Sequence, residues 1–133
     1  MISGKVTNNG EATIRLKLLG QTGIEKRISA IIDTGYDGWL TLPPELIAEL
    51  VLPWSTVGQA VLADGSEIEY DVYEARVVWD RRQREVDIDE SDTAPLIGMA
   101  MLRDCELNMV VQPHGKITIT RLTSGRDSES PRR

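Results

Sequence analysis

Asp33-Thr34-Gly35 is the stretch of this chain best equipped for chemistry. A carboxylate can give or take a proton, the neighbouring hydroxyl can hold a hydrogen bond, and glycine lets another group approach closely. Ile28 to Ile32, interrupted only by Ser29 and Ala30, reads as a buried strand that delivers the carboxylate to a turn. Trp39-Leu40-Thr41-Leu42 reads as the strand leaving it, while Gly35 and Gly38 permit a backbone path closed to larger residues. The same three residues also suit an ordinary β-turn in which Asp33 accepts an Asx-type hydrogen bond. Taken alone, they favour that plainer reading.

The longer pattern shifts the balance. Ile31-Ile32-Asp33-Thr34-Gly35, followed at a distance by Leu96-Ile97-Gly98, resembles the retropepsin-like aspartic proteases. Each half-site in that family carries apolar-Asp-Thr/Ser-Gly, with a later apolar-apolar-Gly packed beneath it. The run from Asp33 to Pro43 looks like the cellular prokaryotic branch, where Asp-Thr-Gly-aromatic leads to apolar-Pro. Ala63-Asp64-Gly65 stands where the family has its flap hairpin, and the likeness extends from about Gly4 to Leu122.

The resemblance implies an all-β fold, a small closed β-barrel with one or two short helices, and the activity of an aspartic endopeptidase. Asp33, Thr34 and Gly35 would form the catalytic loop, with Thr34 bonding across a two-fold axis and Gly35 admitting the substrate. Tyr36 and Asp37 would line subsites, and Ala63, Asp64 and Gly65 would close over an extended peptide or protein substrate. Leu96, Ile97 and Gly98 would support the loop from below. Two positions depart from the pattern. Met99 stands where viral members carry a bracing Arg, and Ala100 where many cellular members carry Asp.

Hydrolysis of this kind needs two carboxylates about one water, close enough that they share a proton. One carboxylate acts as base on the water while the other protonates the carbonyl oxygen. Asp-Thr-Gly occurs once, and Asp64-Gly65 lacks the intervening hydroxyl, so the second carboxylate must come from a second copy of the chain. A homodimer on a C2 axis is therefore expected. The chemistry calls for no cofactor and no metal. The alternative is a catalytically inactive module that keeps the fold and binds peptides or assembles.

The elements that would position this loop are legible in outline. Ala12 to Leu18 alternates polar and apolar residues as a half-buried strand, between turns at Thr7–Gly10 and Gly20–Gly23. Pro43 to Val51 reads as a short helix with Pro44 at its first position and Leu46, Ile47, Leu50 and Val51 on one face. Val57 to Val78 is a hairpin about Asp64-Gly65, followed by a solvated turn from Asp80 and a strand at Val86–Asp89 with its acids outward. Ala94 to Gly98 is a buried strand, Met99 to Asp104 a helical turn or two, and 107–111 with 116–122 closes the sheet.

At 133 residues, 41% hydrophobic and 27% charged, the chain suits one domain at 1–122 and a disordered polar tail at 123–133. Fifteen basic against 21 acidic residues give a net charge of −6, which opposes a nucleic-acid surface. No run approaches the ~20 apolar residues of a membrane helix. No signal peptide is visible, and the one cysteine, Cys105, suits a reducing compartment as a buried structural thiol. A cytoplasmic protein without a membrane partner is the expectation. His114 is alone, with no other ligand at metal spacing, and reads as a turn residue.

Overall fold

The computed structural model describes residues 1–123. Apolar residues at every second position make the strands. In β2 (Ala12–Leu19), Ile14, Leu16 and Leu18 point into the core while Arg15 faces solvent. Flanking β2 are β1 (Ile2–Val6) and β3 (Glu25–Ile32), which pair with it antiparallel. The chain continues through β4 (Leu40–Leu42), α1 (Pro44–Glu49), β5 (Trp54–Val61), β6 (Glu67–Trp79) and β7 (Arg82–Glu90). It ends with β8 (Leu96–Ile97), α2 (Met99–Leu102), β9 (Cys105–Met109) and β10 (Lys116–Arg121).

These strands form one sheet in the order β5-β6-β7-β4-β8-β3-β2-β1-β10-β9, and β6 pairs a second time, with β2. The second pairing rolls the sheet up, so the fold is all-β with two short helices, as the sequence leads one to expect. The roll is not a cleanly closed barrel. β2 meets β6 through only three residue pairs, Lys17 with Val78, Leu18 with Val77 and Leu19 with Arg76. β4 meets β8 through the single pair Leu40 with Ile97. Clean closure needs strands long enough to stay paired around the ring. With two residues, β8 is too short for that.

Aliphatic side chains fill the roll, since the chain has no Phe. Leu18, Leu40, Leu42, Leu50, Val77, Ile88, Ile97, Met101 and Ile117 are wholly buried. Close packing of these residues fixes the strand ends that carry the site. α1 begins with Pro44, as anticipated, and buries Ile47, with Leu50 at its C-cap. Val51 does not join the helix face. Its φ of 53° turns the chain, and it is exposed. Cys105 is half-buried rather than buried.

Of the tail expected to be disordered, only Thr123 is described; residues 124–133 lie outside the described residues. Among the described residues, no helix is long and apolar enough to cross a membrane.

Candidate active site

Asp33 stands one residue beyond β3 because β3 is held on both sides. β2 pairs with it from Thr13–Ile31 to Leu19–Glu25. β8 lies parallel on its other side, with Leu96 against Ile31 and Ile97 against Ile32. The Asp33 amide donates to the Ile97 carbonyl at 2.9 Å, so the parallel ladder runs into the loop itself. Thr41 fastens the far side. It is buried, and its hydroxyl accepts the Leu96 amide at 2.9 Å.

From Asp33 the chain turns sharply. The Gly35 amide donates to Asp33 Oδ1 at 2.9 Å, and the Tyr36 amide to the Asp33 carbonyl at 3.1 Å. The Asx turn offered by the plainer sequence reading is therefore present, and it aims the carboxylate. Asp33 stays partly accessible while Thr34, Gly35 and Asp37 are exposed. Among the described residues, the Thr34 hydroxyl has no hydrogen-bond partner within its own chain.

The segment at Gly98 grips the loop from below. Three amides, of Gly98, Met99 and Ala100, donate to the carbonyls of Trp39, Tyr36 and Gly38 at 3.1, 2.8 and 3.1 Å. A Cβ on Gly98 would lie 2.3 Å from the Gly38 carbonyl oxygen and 2.5 Å from Tyr36 Cδ2. Only glycine fits there. Met99 and Ala100 thus hold the loop by their backbones, whatever their side chains lack.

Tyr36 is half-buried. Its ring lies against Gly38 and Gly98, and its hydroxyl donates to Asp89 Oδ2 at 2.5 Å. Burial, then the Asp89 carboxylate, pushes the phenol far above its ordinary range. Burial also raises Asp89, against the pull of the Tyr36 hydrogen bond. The two form a brace between the loop and β7. Asp89 had read as one of two outward acids on a strand, yet only Asp87 is exposed. Its role depends on a tyrosine 53 residues away, which no local signal announces.

Ala63, Asp64 and Gly65 form the tip of the β5–β6 hairpin. The Gly65 amide donates to the Leu62 carbonyl at 2.9 Å, and Gly65 adopts a φ of 87°. Asp64 Oδ1 accepts the Ser66 amide at 2.9 Å and the Ser66 hydroxyl at 2.6 Å, which lowers its pKa. This arm extends beyond the rolled sheet and is exposed along most of its length. Register puts Gly58 opposite Tyr70 and Ala60 opposite Ile68, on the face that continues to buried Val72. Burial, then the Asp89 and Asp37 carboxylates, raises the Tyr70 phenol. Tyr70 is thus a second residue the motifs did not single out. Its alternation with Ile68 and Val72 was the available signal.

Among the described residues, no three His, Cys, Asp or Glu side chains are grouped to hold a metal. His114 is exposed in a turn with a φ of 65°.

No family model matches the sequence, and no curated protein matches it. Solved structures do match its fold. A retropepsin-like aspartic protease from Rickettsia conorii superposes with a TM-score of 0.57 at 15% identity, covering 90% of this chain and 89% of that one. EIAV protease, complexed with the inhibitor HBY-793, gives 0.53 at 16% identity, over 71% of this chain and 86% of that one. The prokaryotic pattern around Asp33 fits the first of these. The chain has the retropepsin-like aspartic protease fold.

Proposed function

We propose that the protein is an aspartic endopeptidase that works as a homodimer, with one Asp33 from each copy about a shared water. The observation that carries this reading is the loop itself. It presents an accessible carboxylate on a turn gripped from below by Gly98, in the fold of the aspartic proteases. Two such carboxylates across a two-fold axis hold one proton between them, and the pair titrates as a unit. The ionised member takes a proton from water as the water oxygen bonds to the peptide carbonyl carbon, and the protonated member gives its proton to the carbonyl oxygen. The tetrahedral intermediate then collapses with cleavage of the C–N bond, the leaving nitrogen taking the proton drawn from water while a hydroxyl of the intermediate returns one to the other carboxylate. The Thr34 hydroxyl, without a hydrogen-bond partner among the described residues, would bond across the axis. Extended substrate would lie between the loop and the β5–β6 arm, pairing with the arm as an added strand under the tip at Ala63, Asp64 and Gly65. Asp37, exposed beside the loop, would line that space. Tyr36 serves by holding the loop in shape.

An unbiased peptide-library digest with wild type and Asp33→Asn tests the reading. Wild type cleaves on the acid side of neutrality with a bell-shaped pH profile, and Asp33→Asn does not cleave while sedimenting as the same dimer. Equal cleavage by the two proteins refutes the mechanism. Peptide binding by wild type without cleavage at any pH from about 3 to 8 leaves the inactive binding module in its place.

A further inference from the structure

The ends of β6, β7 and β10 and the α2–β9 junction meet around a cavity of about 250 Å³. Trp79 comes from the end of β6, Arg82 and Arg84 from the start of β7, and Arg121 from the end of β10. Arg103, Asp104 and Cys105 come from the junction of α2 and β9. Four of the chain's fifteen lysines and arginines thus line one small space, in a protein of net charge −6. Against their four positive charges the lining supplies one carboxylate, Asp104.

Among the described residues no ion pair neutralises these arginines. Among the described residues the ion pairs are the N-terminal ammonium with Asp80, Lys17 with Glu25 and Lys26 with Glu49. None involves this cluster. Asp80, a carboxylate in the field of Arg121, is bonded to the N-terminal ammonium at 2.6 Å. Arg84 has its guanidinium carbon 5.1 Å from the ring centroid of Trp39, a residue outside the cavity lining. Trp79 is almost wholly buried and closes the lining with an apolar wall.

Clustered like charges repel, and an acidic surface offers many places to spread them. A guanidinium forks two parallel donors, the geometry that suits an oxyanion, and it stays charged at every working pH. We infer that the cavity bounded by Arg82, Arg84, Arg103 and Arg121 is a binding site for a dianionic tetrahedral oxyanion, inorganic phosphate or a small phosphate monoester. The volume supports the small size, because it falls below the roughly 300–1,000 Å³ typical of larger organic ligands. None of the residues proposed for catalysis or substrate binding lines the cavity, so the assignment does not rest on that reading.

Titration calorimetry on the full chain in chloride buffer tests the assignment, with inorganic phosphate, phenyl phosphate and acetate as probes. Phosphate or phenyl phosphate is expected to bind with one site per chain, and acetate at least roughly tenfold more weakly, because it carries one charge and a planar head. Tighter binding of phenyl phosphate identifies an ester as the ligand; equal or tighter binding of inorganic phosphate identifies the free ion. The double variant Arg103→Gln/Arg121→Gln, both exposed positions, is expected to lose binding by roughly tenfold or more, while Arg27→Gln, outside the cavity, binds as wild type. Should the double variant lose its native circular dichroism, Arg103→Lys/Arg121→Lys keeps the charge without the fork and is expected to weaken binding several-fold. No binding by wild type, acetate binding as tightly as phosphate, or unchanged affinity in the folded double variant overturns the assignment.

Discussion

Gly98→Ala is the substitution in which the structure gives opposing effects with separable sizes. Gly98 has φ −102° and ψ −178°, which alanine adopts freely. In the unfolded chain, alanine has fewer states to lose, a gain of about 0.4–1 kcal/mol. Against that, the new Cβ would lie 2.3 Å from the Gly38 carbonyl oxygen, 2.5 Å from Tyr36 Cδ2 and 2.8 Å from the Tyr36 carbonyl oxygen. Two of those three atoms are backbone, so no rotamer change relieves the contact. Overpacking of this sort costs about 1–3 kcal/mol, and displacing the loop weakens hydrogen bonds worth about 1 kcal/mol each. The same displacement loosens the Gly98, Met99 and Ala100 amides from the loop carbonyls. The steric side wins, leaving a net loss of about 2–3 kcal/mol. For a domain of this size that is a fall in melting temperature of roughly 8–12 °C, read by thermal unfolding followed with circular dichroism. Gly35→Ala is the control, because its Cβ meets only Asp33 Oδ1, at 3.3 Å. It is expected to melt within about 3 °C of wild type. A Gly98→Ala protein that melts at or above the wild-type temperature refutes the clamp.

The Tyr36–Asp89 brace gives a pH signature. Burial raises the folded pKa of Asp89 above its unfolded value, so the folded state holds the proton more tightly and stability falls as pH rises through that window. Asp89→Asn, which still accepts from the Tyr36 hydroxyl, removes the titration; its melting temperature relative to wild type should increase from pH 3 to pH 7, and a decrease would contradict the sign. Tyr36→Phe removes the donor that favours ionised Asp89, so its destabilisation should be larger at pH 7 than at pH 3, at about 1 kcal/mol near neutrality. If the shared-carboxylate reading is right, cleavage rate should vary with the square of protein concentration below the dimer dissociation constant. A strictly linear dependence from a sedimenting monomer would rule out a site built from two chains.

The sequence by itself determined the features that depend on neighbours along the chain. Alternation in β2 selected Ile14, Leu16 and Leu18 for the core, and they are buried. Pro44 started α1, and Asp64-Gly65 made the hairpin tip. Asp33-Thr34-Gly35 after an apolar run placed a carboxylate on a turn at a strand end, because turn chemistry and strand burial are both local. The tertiary structure decided whatever needed a distant partner. The aromatic ring of Tyr36 beside the Asp-Thr-Gly run carries no local sign of its partners; packing at Gly98 and a bond to Asp89 supply them. Asp89 and Asp87 look alike on a strand, and only the arrival of Tyr36 distinguishes them. Closure was equally non-local. The parallel β3–β8 ladder joins residues more than sixty positions apart, and the brevity of β8 left the roll incompletely closed. Arg82, Arg103 and Arg121 carry no motif in the sequence, and they come together only when three strand ends and a turn surround one cavity.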